Sequence, residues 1–158
     1  MAHSSLPHPL AAKVSDTDAA QRLRAAGQRV TRLRVVVFKT LLDAEQPLSH
    51  PELQQRLEAS ETGGVDRVSL YRNLEWLVQI GLAHRITADD RVWRFSARRE
   101  EMATQHPHFH CVSCGQVFCL PESSVPVPRL PADYSMIEME LVVNGVCAHC
   151  GKAPPPKN

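Results

Sequence analysis

The spacing of apolar and polar positions divides the chain into a helical first half and a strand-rich second half. From Asp16 onward, Ala19, Ala20, Leu23 and Ala26 recur at helical spacing, and Gly27 ends the run by entering a left-handed conformation without a Cβ clash. Thr31 is placed to N-cap a second helix, in which Leu33, Val37 and Leu41 repeat with Val36 and Thr40 beside them as one buried stripe. Pro47 breaks the chain. Ser49 and Glu52 then form a capping-box pattern ahead of Leu53 and Leu57. Glu58 to Gly64 is polar and reads as a loop. A further helix begins near Asp66, buries Leu70, Leu74 and Leu77, and ends at Gly81. Ser69, Arg72 and Asn73 fall on its other faces.

Beyond Gly81 the period shortens to that of strands. Leu82–Thr87 and Val92–Ser96, joined at Ala88-Asp89-Asp90, predict a hairpin. Helices followed by a hairpin make a winged helix-turn-helix, in which the last helix enters the major groove. Further on, His106, His108 and His110 would share one strand face, with Cys111 pointing to the other, and Pro107 places that strand at a sheet edge or itself among the strand's first residues. Gln116–Leu120 would pair with that strand. Pro121, Pro126, Pro128 and Pro131 make the next segment a poor helix. Met136–Val143 reads as a strand with Ile137, Met139 and Leu141 on one face.

The second half also carries the chemistry. Three histidines and three cysteines lie within the fourteen residues His106 to Cys119, and a second knuckle follows at Cys147-Ala148-His149-Cys150. Thiolate sulfur and imidazole nitrogen are the donors that zinc prefers, and a C-x-x-C turn lets two sulfurs reach one ion. Cys111, Cys114, Cys147 and Cys150 therefore form a candidate closed tetrahedral zinc site. The same four could instead form two disulfides or remain buried thiols. The total of five cysteines is odd, which argues against a complete disulfide framework. The first twenty residues lack an apolar run, and no stretch approaches membrane-spanning length. An intracellular, cytoplasmic protein is expected, in a reducing compartment where paired cysteines usually hold metal.

Charge sharpens the division between the halves. The 158-residue chain has a formal net charge of only +1, yet Arg22, Arg24, Arg29, Arg32, Arg34 and Lys39 form a run with no acidic residue among them. Such a run can neutralise phosphates, and Arg72 sits where a helix residue reaches base edges. The C-terminal unit is too small to be stabilised by its core alone, so a structural zinc and pairing with a second copy are expected. The expected class is α+β. A winged-helix DNA-binding domain (16–96) leads through a hinge (97–105) to a small α/β dimerisation domain with the four-cysteine site (106–151). Flexible tails cover 1–15 and 152–158. No nucleophile elbow or phosphate loop is present, so neither an enzyme nor a small organic substrate is expected.

These motifs resemble the ferric uptake regulator (Fur) family of metal-responsive repressors, from about Ala25 to Cys150. Ala25-Ala26-Gly27-Gln28-Arg29-Val30-Thr31 is similar to the family's helix entry. Val68-Ser69-Leu70-Tyr71-Arg72-Asn73-Leu74 is similar to its recognition helix, and Gly81-Leu82 to its turn into the wing. The histidine run into Cys111-Val112-Ser113-Cys114-Gly115 and the closing Gly145-Val146-Cys147-Ala148-His149-Cys150 are the most specific matches. The resemblance implies a homodimer on double-stranded operator DNA, with Tyr71 on thymine methyls, Arg72 on bases or phosphates, and Arg29 toward the minor groove or backbone. Ser69 belongs to the same DNA-facing segment. It also implies a second, regulatory metal site between the domains, whose positions here are His84, His106, His108 and Cys119. Iron and peroxide sensors usually carry a carboxylate where this chain has Cys119, and Ser96 stands where Glu or Cys is common. Three imidazoles and a thiolate suit zinc better than ferrous iron. The resemblance is therefore strongest to the zinc uptake regulator (Zur) branch, with about two zinc ions per chain, one structural and one regulatory. Two alternatives stay open: an iron- or peroxide-responsive relative, and a zinc-ribbon interaction module without DNA function. His110 shares the histidine face at a different offset and could serve a third metal site.

Overall fold

The computed structural model describes residues 13–60, 64–98, 106–120, 126–137 and 139–152. Four helices and a three-stranded sheet form the first half: α1 (Asp16–Ala25), α2 (Arg32–Leu42), β1 (Leu48–Ser49), α3 (His50–Glu58), α4 (Arg67–Gln79), β2 (Ala83–Thr87) and β3 (Trp93–Ala97). The second half contributes β4 (His108–Cys111), β5 (Val117–Cys119), β6 (Val142–Gly145) and a 3-10 turn at Cys150–Lys152. Most of the expected hinge, at 99–105, lies outside the described residues, as do 1–12 and 153–158 of the tails.

Local signals set the helix ends. The Thr31 side chain caps α2 by accepting from the Arg34 amide at 3.3 Å. Asp66 caps α4 through the Ser69 amide at 2.9 Å. Gly27 and Gly81, at φ 70° and 76°, terminate α1 and α4. At α3 the capping box is present, with both the amide and the hydroxyl of Ser49 donating to Glu52.

The helices close over one apolar core containing Leu23, Phe38, Leu53, Leu70, Leu74 and Phe95. The buried face of α2 differs from the expected stripe. It runs through Val35, Val37, Phe38, Leu41 and Leu42, with Leu33 and Val36 only partly covered. Phe38, fully buried, is the largest side chain on that helix and pulls the face toward itself.

The wing is the expected hairpin, with His84 opposite Ser96 and Ile86 opposite Arg94. A third strand joins it: β1 pairs antiparallel with β3, giving the order β1-β3-β2. Side chains alternate across this sheet. One face sends Ala83, Phe95 and Ala97 into the helical core. The other carries His84, Ile86, Arg94 and Ser96 toward the second half.

In the second sheet, β4 lies between β5, which is antiparallel, and β6, which is parallel. The expected strand over Met136–Val143 needs correction, since β6 spans Val142–Gly145. Its register starts at His108↔Val142, with the His108 amide donating to the Leu141 carbonyl at 2.8 Å, while the backbone of Pro107 faces β5 and its carbonyl accepts from the Leu120 amide at 2.9 Å. Tyr134, Met136, Ile137 and Leu141 are left exposed, Ile137 at 98%.

Candidate metal centres and DNA-facing surface

The two cysteine knuckles meet at one point. The sulfurs of Cys111, Cys114, Cys147 and Cys150 all lie within 4.8 Å of one another. Parallel pairing of β4 with β6 does this, because Cys111 stands opposite Gly145 and the second knuckle follows directly. Cys114 Sγ and Cys147 Sγ are 4.0 Å apart. Tetrahedral zinc–sulfur bonds of about 2.3 Å set neighbouring sulfurs about 3.8 Å apart, so the cluster has the dimensions of such a site. The Cys147 amide donates to Cys111 Sγ at 3.3 Å, and this leads in lowering the Cys111 pKa to about 6 against desolvation. For Cys150 the hydrogen bond with Ser113 pulls down, but Cys147, desolvation and the other thiols outweigh it and push the group up to about 12. One thiolate forms readily, and further ones repel unless a cation shares the site.

A second group lies between the wing and the second sheet. Donor nitrogens of His84 on β2, His106, and His108 on β4 also lie within 4.8 Å of one another. His84 Nε2 and His108 Nε2 are 3.3 Å apart, and the ring centroids of His106 and His108 are 4.8 Å apart. Zinc–nitrogen bonds of about 2.0–2.1 Å in a tetrahedron place nitrogens about 3.3–3.4 Å apart. Among the described residues no carboxylate belongs to either group. Burial, followed by the neighbouring imidazoles, pushes His84 from 6.5 down to about 4 and His108 to about 3. His84 and His108 are therefore held neutral, the form in which imidazole binds metal.

The structure does not gather every expected ligand. Cys119 stands opposite His108 in the β4–β5 register but is not in the three-imidazole group. Ser96 stands opposite His84 on the wing. His110 points elsewhere: its Nδ1 is 3.0 Å from Asn144 Oδ1 and its Nε2 3.5 Å from Asp90 Oδ2.

The neutral imidazoles give a pH expectation for metal-stripped protein. The unfolded chain takes up these protons near pH 6.5, while the folded cluster resists to about pH 4 or 3. Stability contributed by the cluster is thus fully present above pH 6.5 and is lost as pH falls toward 4 and below. Thermal melts of chelator-treated protein should fall across this window, and His108→Asn should make the slope shallower. A flat profile would mean that the fold does not hold these rings neutral.

The candidate DNA contacts occupy the opposite side of the hairpin and the exposed side of α4. Tyr71 and Arg72 are exposed on α4, Ser69 is half-buried in its first turn, and Arg29 is exposed just before α2. Arg29, Arg34, Arg72, Asn73 and Trp76 line an open cleft of about 480 Å³. In the sequence Arg34 is one member of the basic run. Its guanidinium lies 3.8 Å from the centre of the Trp76 ring and donates to the Arg29 carbonyl at 2.7 Å, which fixes the cleft's shape. No motif in the sequence marks Trp93. It stacks on Tyr71 with centroids 6.3 Å apart, and Arg85 lies 4.4 Å from its ring centre. Only the register of β3 reveals that Trp93 faces α4.

The Ferric uptake regulator family profile matches residues 25–128. The chain belongs to that family. Fur-family members are metal-binding transcriptional regulators, dimeric and DNA-binding rather than enzymatic, so the reading as an interaction module without DNA function falls away. Transcriptional regulator FurA of Mycobacterium tuberculosis is 30% identical over 139 residues, spanning 84% of this chain and 90% of that protein. The Helicobacter pylori ferric uptake regulator structure aligns with TM-score 0.65 at 16% identity, covering 89% of this chain and 97% of that one. A zinc uptake regulator complexed with zinc and DNA aligns with TM-score 0.61 at 16% identity, covering 86% and 92%. These likenesses at low identity establish the Fur fold. No described helix is long and apolar enough to cross a membrane.

Proposed function

We propose that this Fur-family protein is a cytoplasmic zinc-responsive repressor of zinc-homeostasis genes, with zinc as corepressor at the interdomain site. The observation that carries the reading is the donor set there. Three imidazoles converge, His84 from the wing and His106 and His108 from the second half, and among the described residues no carboxylate joins them. Ferrous iron favours more nitrogen and oxygen ligands, while imidazole with thiolate suits tetrahedral zinc. Cys119, which pairs with His108 across β4 and β5, would supply a fourth donor, with Ser96 or water as the other source. Cys111, Cys114, Cys147 and Cys150 hold the structural zinc, giving about two ions per chain. The zinc- and DNA-bound regulator of similar fold supports the same assignment.

A bound ion supplies a bond to both halves at once. His84 then transmits occupancy to the wing, and the wing is continuous with α4. Operator affinity rises because the two α4 helices of a homodimer are held at the spacing of two half-sites, and the unliganded chain loses affinity in proportion to its other arrangements. The rival is an iron- or peroxide-responsive regulator, the iron form being favoured by the ferric uptake names among related proteins.

Operator binding measured by anisotropy against buffered free zinc, and separately against ferrous iron, decides between them. Tight binding in zinc buffer alone is expected; tight binding driven only by iron would overturn the zinc reading. Arg72→Ala in the same assay should cost about 1–3 kcal/mol if the contact to a base is bidentate, with zinc content unchanged. Unaltered affinity would remove Arg72 from the recognition face.

A further inference from the structure

The wing is joined to the second half by more than the imidazole group. Ile86 and Ala88 pack with Val117 and Val142 in a small apolar cluster, with Ile86 and Val117 each 1% exposed. The Thr87 amide donates to Glu140 at 3.0 Å. Arg94, on the same face of the hairpin, is 7% exposed. Its guanidinium donates to both oxygens of Asp90, at 3.1 and 2.6 Å, and through Nη2 to the carbonyl of Gly115 at 2.6 Å. His110 approaches the same Asp90 carboxylate and also meets Asn144 on β6.

A guanidinium is rarely buried to this degree unless it is paired and its donors are used. Asp90 supplies the charge from the wing's own turn. Gly115 supplies the acceptor across the interface, and it directly follows Cys114 of the first knuckle. Gly115 lies at φ 73°, and its amide closes the knuckle on the Cys111 carbonyl at 2.8 Å. Where that carbonyl points is therefore set by the knuckle turn, which the four sulfurs hold.

We infer that Arg94 is a positioning residue that docks the wing, and with it α4, onto the first cysteine knuckle. The four-cysteine centre thereby sets the orientation of the DNA-reading half as well as holding its own half together. Arg94 lies on the face of the hairpin away from Tyr71, so it acts through the wing and not on DNA. The inference rests on the DNA-binding reading only for its affinity readout.

The test uses zinc-loaded, full-length homodimer. Arg94→Ala should raise amide exchange in the wing turn, Ala88–Val92, and around Gly115 by about tenfold or more, with Arg94→Lys partly restoring protection. Zinc content and dimerisation should be unchanged. Operator affinity should fall about tenfold while the salt dependence of binding keeps its slope, because no phosphate contact is lost. Asp90→Asn, a turn substitution that leaves the core intact, should loosen the same peptides and keeps the test decisive if Arg94→Ala misfolds. Unchanged exchange in either variant overturns the docking role. A flatter salt slope makes Arg94 a DNA contact and overturns it too, as does looser exchange with full operator affinity. If the parent binds no operator, the exchange data alone decide.

Discussion

A chain carrying Cys147→Ser should lose the four-cysteine ion, unfold its second half and fall apart as a dimer. Among the described residues beyond His106, the buried apolar ones are Pro107, Cys111 and Val117, too little for a self-sufficient core. β6 is held by its parallel pairing to β4, and the second knuckle begins two residues after β6 ends. Apparent zinc-binding energies of folding sites reach about 10–16 kcal/mol, comparable with or above the whole stability of about 5–15 kcal/mol for an ordinary domain. Three sulfurs and a weaker hydroxyl recover only part of this. Sedimentation velocity with metal counted in parallel is the measurement. A variant that stays dimeric with its full metal would show that the two knuckles do not form one site.

His84→Ala and His108→Ala should instead spare the dimer and the four-cysteine ion, yet abolish zinc control of operator binding. Loss of an outer partner of a metal ligand costs about 10–100-fold in affinity, so loss of a direct ligand should exceed about 100-fold at the interdomain site. His84 contributes from the wing and His108 from β4, so either variant severs the link between halves. Cys119→Ser should act in the same direction but more mildly, since Cys119 stands outside the three-imidazole group. Anisotropy on operator DNA across a zinc-buffer series reads all three. If the histidine variants respond to zinc as the parent does, the sensing site lies elsewhere.

What the sequence displays plainly is what short-range chemistry decides. Thr31, Asp66, Gly27 and Gly81 mark helix ends within one turn, and each C-x-x-C knuckle is complete in four residues. What it hides depends on partners distant along the chain. β1 is two residues long and exists because Leu48 finds Phe95. Arg94 looks like a surface residue until the carbonyl of Gly115 appears beside it. His110 has the same type and the same strand face as His108, yet the two diverge because one meets His84 and the other Asp90. Cys119 joins the imidazole set only through the family resemblance, and no local pattern fixes how far its sulfur lies from the rings.

The alternating faces of the wing limit how its length can vary. A strand has no third side, so removing one residue from β3 would turn Phe95 out of the helical core and Arg94 into it, exchanging the two faces of the hairpin in one step. Hairpins usually absorb insertions and deletions at the turn. Here Asp90 ties that turn to Arg94, and Arg91 holds it at φ 58°. Substitutions can therefore accumulate along this hairpin, but a change in its residue count has no harmless place to fall.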